Sequence, residues 1–175
     1  MTISRIYRGV WWIVYSLIFR IIPSPLHKLR ICILRIFGAH IAWNCSVYPS
    51  VTIWSPRNLT MKSGSALGPR VNCYNPGHIT IGVNSTISQG SHLCSGTHDV
   101  DRRMVIKTPF MPLITKPIII KDYCWITADV FIGPGVTVHD GVVVGARSVV
   151  VTSLDSWAVY VGNPAKYTGK NLYKN

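Results

Sequence analysis

Few residues in this 175-residue chain are suited to proton transfer. It contains no Glu, and its six acidic residues are all Asp, so any mechanism resting on a catalytic Glu is excluded. Among six His, His98 stands in a polar run, Cys94-Ser95-Gly96-Thr97-His98-Asp99. Imidazole titrates near neutrality, so a His held on a loop can take a proton from a weak nucleophile and later return it. Taken alone, His98 reads either as such a base or as a solvated loop residue. The five Cys (32, 45, 73, 94 and 124) are odd in number and form no CxxC pair. They suggest neither a closed disulfide framework nor a zinc ribbon, and a reducing compartment, the cytoplasm, is the simpler reading.

A rigid scaffold must position His98, and from residue 41 onward the chain repeats every six residues. Aliphatic or similar side chains recur at Ile41, Val47, Ile53 and Leu59, at Met61, Leu67 and Cys73, at Ile81, Ile87 and Leu93, and from Ile120 through Ile126, Ile132, Val138 and Val144 to Val150. Small or β-branched residues follow four positions later, as at Cys45, Ser85, Cys124 and Ser148. Neither the helical period of 3.6 nor the strand period of 2 accounts for this. A mainly β fold does: a parallel β-helix over 39–160, with one short strand and one turn per hexapeptide and three hexapeptides per triangular coil. Gly68, Gly82, Gly133 and Gly145 follow inward positions, where turns with unusual backbone angles are expected. Cys45 and Cys124 fall in small inward slots and Cys73 in a large one. The period slips by two residues before Met61 and Ile81, and it is lost for the 24 residues from Cys94 to Pro117. A break of that length in a compact domain is where function concentrates.

The charge is lopsided. Residues 1–98 carry nine basic groups and no carboxylate, so this half must face something anionic or strongly hydrated. Residues 1–38 read as two hydrophobic, basic helices. One spans 4–22, and Pro23 and Pro25 end it. The second carries Leu26, Leu29, Ile33 and Phe37 on one face and stops at Gly38. The uncharged run Gly9–Phe19 is too short to span a bilayer. The pair is either an in-plane membrane anchor or a cover for the end of the solenoid. Nucleic acid is disfavoured, because the basic residues form no recognisable module. Residues 161–175 read as a C-terminal cap or tail.

Several phrases resemble one family, in order and spacing, over roughly residues 25–170. They are Ser88 through Asp99, Lys116-Pro117-Ile118-Ile119-Ile120, Trp125-Ile126-Thr127-Ala128, Gly133-Pro134-Gly135, Val144-Gly145-Ala146-Arg147-Ser148 and Gly162-Asn163-Pro164-Ala165-Lys166. They resemble the hexapeptide-repeat sugar O-acetyltransferases, which fold as a left-handed β-helix, and most of all the colanic acid biosynthesis type. The resemblance implies a homotrimer with acetyl-CoA in the groove between neighbouring β-helices. It makes His98 the general base and the Ala128 backbone N–H the oxyanion donor. It places Trp125, Gly145, Ala146, Thr152 and Lys166 along the cofactor, and Asn75 and Asp99 near the acceptor, although Asn75 also reads as a plain turn residue. Ser153 and Gly169 depart from the family where basic residues are usual. No metal is implied. The acceptor is expected to be a sugar of a bacterial surface polysaccharide or a lipid-linked precursor, with the N-terminal segment on the inner membrane face. Two other readings stand beside it: a membrane-associated β-helix that only binds glycans, and a zinc enzyme using His78, His92 and His98.

Overall fold

The computed structural model describes residues 2–99 and 111–172. Residues 100–110 of the expected 94–117 loop and 173–175 of the expected tail lie outside the described residues. Helix α1 (Thr2–Leu17) is followed by a 3-10 turn, Phe19–Ile21, and helix α2 (His27–Ile36). A solenoid of short parallel strands follows, and the predicted β-helix is present.

Its three faces are stacks of strands. Face A stacks His40–Ile41, Leu59–Met61, Ile79–Ile81, Ile118–Ile120 and Thr137–Val138. Face B stacks Ser46–Val47, Ala66–Leu67, Thr86–Ile87, Trp125–Ile126 and Val143–Val144, and is extended by Ala158–Val161 and the antiparallel Lys166–Asn171. Face C stacks Thr52–Ile53, Asn72–Tyr74, His92–Cys94, Phe131–Ile132 and Val149–Val150. Strand side chains alternate in direction, so each two-residue strand of the stacked coils turns one residue inward, and the three-residue strands of face A turn two, as with Leu59 and Met61. Ile53, Leu67, Ile87, Ile126 and Val144 are fully buried in this column. Truncating one of them to Ala would cost about 2–5 kcal/mol. Cys73 sits among them, and burial pushes its thiol up to about 12.

The glycine expectation needs correcting. Gly68, Gly82, Gly133 and Gly145 do not have positive φ; the left-handed positions fall two residues further on, at Arg70, Asn84, Gly135 and Arg147. What Gly82 permits is close backbone approach, since a Cβ there would lie 2.3 Å from the carbonyl carbon of Lys121. The helix over 4–22 is also interrupted. Ile18, at φ −125°, leaves helical space and turns Phe19 back against Trp11 and Tyr15.

The two helices close the N-terminal end of the prism. Strand N–H groups donate to carbonyls of the next coil, as from Ser46 to Ser65 and from Thr52 to Val71, so the carbonyls of the first coil have no preceding coil to receive from. Buried acceptors need donors. On face A, Arg35 donates to Ile41 O at 2.7 Å; on face B, Arg30 Nε donates to Val47 O at 2.6 Å; on face C, Trp11 Nε1 donates to Ile53 O at 2.7 Å. Arg30 is completely buried, and it also donates to the carbonyls of Ile22, Pro23 and Ser24. The expectation that every basic group in this half meets an anion or water therefore fails for Arg30. A row of carbonyls calls for donors without acceptors, and Arg and Trp are such residues. Tyr7, Trp11 and Tyr15 face this cap. Ile6, Ile13 and Leu17, on another stripe of α1, are between 61% and 66% exposed. Among the described residues no helix is long and apolar enough to cross a membrane.

Candidate active site

All variation in coil length falls on one edge. From face A to face B the step is six residues in every coil, as from His40 to Ser46 and from Ile119 to Trp125. From B to C it is again six, as from Ser46 to Thr52 and from Trp125 to Phe131. From C to A it is eight between Thr52 and Thr60, eight between Asn72 and Thr80, 27 between His92 and Ile119, and six between Phe131 and Thr137. The segments 54–58 and 74–78 and the described ends of the third, 94–99 and 111–117, thus fall on the C–A edge.

The longest of them is not an unstructured loop at its base. Gly96–His98 pairs antiparallel with Leu113–Thr115, with His98 opposite Leu113. Gly96 suits this site for a steric reason, because a Cβ there would lie 2.6 Å from Pro76 Cγ. His98 is exposed, and its Nδ1 stands 3.0 Å from the Met111 carbonyl oxygen. A carbonyl only accepts, so Nδ1 is the donor, and in the neutral ring that tautomer leaves the lone pair on Nε2. The Met111 main chain orients the ring, a role that no side-chain type in the sequence could signal. Asp99 continues the hairpin through its N–H, which donates to Pro112 O at 3.0 Å. Cys94, at the hairpin base, donates through Sγ to Gly96 O.

Ala128 lies on a different edge, between faces B and C, in a column with Pro49, Pro69, Gln89 and Ala146, each two residues past the inward residue of its face B strand. Its carbonyl receives the Arg147 N–H at 2.9 Å, while among the described residues its own N–H takes no part in the ladder. Trp125 is 52% exposed on face B, and its Nε1 donates to Ser88 Oγ at 3.0 Å. Gly145 belongs to the same edge, but its N–H is engaged by Tyr160 O and a Cβ there would meet Val161 at 2.7 Å. Exposed Lys166 follows Ala165, whose N–H donates to Val149 O beside this edge. Thr152, also exposed, falls on the C–A edge, the one that carries His98.

Asn75 does not face an acceptor. It is fully buried, its Oδ1 receives the Ser55 N–H at 2.9 Å, and its Nδ2 donates to Ser55 O at 2.8 Å. Its amide continues the ladder through a corner where the backbone cannot. His78 Nε2 is bonded to Thr60 Oγ1, and among the described residues no three His, Cys, Asp or Glu side chains group as a metal site.

The chain is 44% identical over 156 residues to the WcaF protein of Escherichia coli (strain K12), named as a colanic acid biosynthesis acetyltransferase, spanning 89% of this chain and 82% of that one. The chain belongs to the hexapeptide-repeat acetyltransferases. No model of a protein family matches it. Among solved structures, the fold of this acetyltransferase is shared with a maltose O-acetyltransferase of Clostridium difficile 630, at TM-score 0.82 and 23% identity over 96% of this chain and 87% of that one. It is shared as well with a hexapeptide-repeat acetyltransferase of Vibrio cholerae solved with acetyl coenzyme A, at TM-score 0.80 and 22% identity over 97% and 89%.

Proposed function

We propose that this acetyltransferase moves the acetyl group of acetyl-CoA to a sugar hydroxyl of a bacterial surface polysaccharide or its precursor, with His98 as general base. The observation that carries the reading is the Met111 carbonyl at His98 Nδ1, which leaves Nε2 as a proton acceptor on a hairpin outside the prism. A sugar hydroxyl is a poor nucleophile at neutral pH. Nε2 takes its proton as the oxygen attacks the thioester carbonyl. The tetrahedral oxyanion receives the Ala128 N–H, and its collapse expels the thiolate, which His98 protonates. The name of the Escherichia coli relative supports the surface-polysaccharide setting, and the bound cofactor of the Vibrio cholerae structure supports acetyl-CoA as donor.

The edges support a site between copies. His98 and Thr152 stand on the C–A edge, and Ala128, Gly145, Ala146 and Lys166 stand on or beside the B–C edge. Two corners of one prism do not meet, but the C–A edge of one copy and the B–C edge of another form the two walls of a groove, as in a homotrimer. The outward stripe of α1, with Ile6, Ile13 and Leu17 beside exposed Arg5 and Arg20, supports peripheral contact with an anionic membrane, where lipid-linked acceptors are held. The test is release of coenzyme A thiol on incubation with acetyl-CoA and surface-polysaccharide precursors. Wild type should release it, and His98→Ala should do so about 10²–10⁴-fold more slowly. Equal rates in the two proteins overturn the mechanism.

A further inference from the structure

Two arginines, Arg8 and Arg57, meet where α1 packs on the C–A edge. A cleft of about 260 Å³ is lined there by Tyr7 and Arg8 from α1, by Trp54, Arg57 and Asn58 from the first long corner, and by Leu113 from the hairpin. Leu113 is the register partner of His98, and directly opposed residues in an antiparallel pair have Cα atoms about 5 Å apart. The cleft therefore opens beside the strand that carries the proposed base. Its aromatic walls are already in cation–π contact: the Arg8 guanidinium lies 5.0 Å from the Trp54 ring centroid, and that of Arg57 lies 3.6 Å from the Tyr7 ring centroid. Trp54 packs in turn edge-on against Tyr74, at 5.3 Å between ring centroids. Arg8 Nε is buried without a hydrogen-bond partner among the described residues. Arg57 is exposed, and among the described residues neither guanidinium is paired with a carboxylate. Unlike Arg30 and Arg35, these two arginines do not cap the carbonyl row of the first coil.

Two guanidinium groups and two aromatic rings around one cleft match a particular chemistry. The planar fork of Arg pairs with the oxygens of a carboxylate or phosphate, and an aromatic face receives the apolar side of a sugar ring. We propose that the cleft binds an acidic sugar residue of the acceptor, its anionic group on Arg57 and Arg8 and its ring against Trp54 and Tyr7. This rests on the sugar-acetylating role proposed above and narrows it: the acceptor is an anionic glycan, held one strand from His98.

The test is calorimetric titration of the full chain with three probes: a glucuronic-acid-terminated disaccharide, the matching glucose-terminated disaccharide and a sugar 1-phosphate. Wild type should bind at least one acidic probe about 10–100-fold more tightly than the neutral one, the range expected for a charge-assisted hydrogen bond. Added salt should shrink that preference. Preference for the uronate alone identifies a carboxylate, and preference for the phosphate alone a phosphorylated sugar. Arg57→Gln, at an exposed position, should reduce the preference about tenfold, and Arg8→Gln should do so as well, with urea unfolding used to verify that each variant is folded. A wild type that does not distinguish charged from neutral sugars, or a preference that survives both substitutions, overturns the assignment and leaves the cleft as a packing seam between α1 and the solenoid. Thiol release with a neutral acceptor separates the two readings. If it proceeds while no charge preference is found, only the cleft assignment fails; if no acceptor supports it, the enzymatic reading fails first.

Discussion

The backbone carbonyl of Met111 accepts a hydrogen bond from Nδ1 of His98 across 3.0 Å, thirteen residues along the chain. That contact orients the ring and fixes its tautomer. Asn places its amide nitrogen near the position of Nδ1, so His98→Asn should keep the bond to Met111 and remove the base. Its turnover is expected to fall by the same factor as that of His98→Ala, about 10²–10⁴, with acetyl-CoA affinity retained. Steady-state kinetics alongside cofactor titration checks this. Turnover in His98→Asn near the wild-type rate would remove the imidazole from the chemistry.

The role given to Ala128 belongs to its main chain, so only a change that deletes the N–H tests it. Proline does so, and the fold already accepts proline at this offset: Pro49 and Pro69 occupy the same column, and Pro134 follows Ile132 as Ala128 follows Ile126. Ala128→Pro should therefore fold with little loss of stability and lose about 10²–10³-fold in turnover. A folded, fully active Ala128→Pro would exclude this N–H as the oxyanion donor.

Closure of the first coil by side-chain donors predicts unequal costs for substitutions of similar size. Trp11→Phe keeps an aromatic ring but leaves Ile53 O without its donor, for about 1–2 kcal/mol. Arg30→Met strips the donor from the carbonyls of Ile22 and Ser24 and leaves those of Val47 and Pro23 with only the His27 ring and the Leu26 N–H, for about 3 kcal/mol. Urea unfolding measures both. Arg30→Met at wild-type stability would show that the carbonyl row needs no cap.

Burial pushes the His92 imidazole below its ordinary value of 6.5, and its Nε2 is buried without a hydrogen-bond partner among the described residues. The ring packs edge-on against Phe131, at 5.5 Å. Below 6.5 the unfolded chain binds the proton more readily than the folded one does. Stability is therefore complete above that pH and declines as pH falls toward the lowered folded value. The melting temperature of wild type should drop across this window, and that of His92→Phe should drop less. Identical slopes in the two proteins would assign the acid sensitivity to other groups.

The architecture was legible because the six-residue period acts locally: each inward aliphatic residue needs only its counterparts one coil away. The place of His98 outside the repeating coils was legible because it stands where that period stops. What escaped the linear reading depends on direction in space. Arg30 looked like a solvated helix residue until the carbonyl of Val47 and its neighbours were placed around it. Asn75 has the composition of a turn or ligand-binding residue, and only the stacking of two corners turns its amide toward Ser55. The glycine at position 82 follows an inward residue as expected, but the requirement comes from Lys121, 39 positions away.

The three long corners that fall on the C–A edge have a consequence for how such an enzyme changes over generations. Ile79 pairs with Ile118 in the same register as Leu59 pairs with Ile79, although the partners are 39 positions apart in one case and 20 in the other. Residues added or deleted on that edge leave the ladder in phase and the opposite corner, with Ala128, where it was. Insertions there can vary the surface around the hairpin while the aliphatic column is inherited unaltered, so change at this edge need not proceed by replacing core residues one at a time.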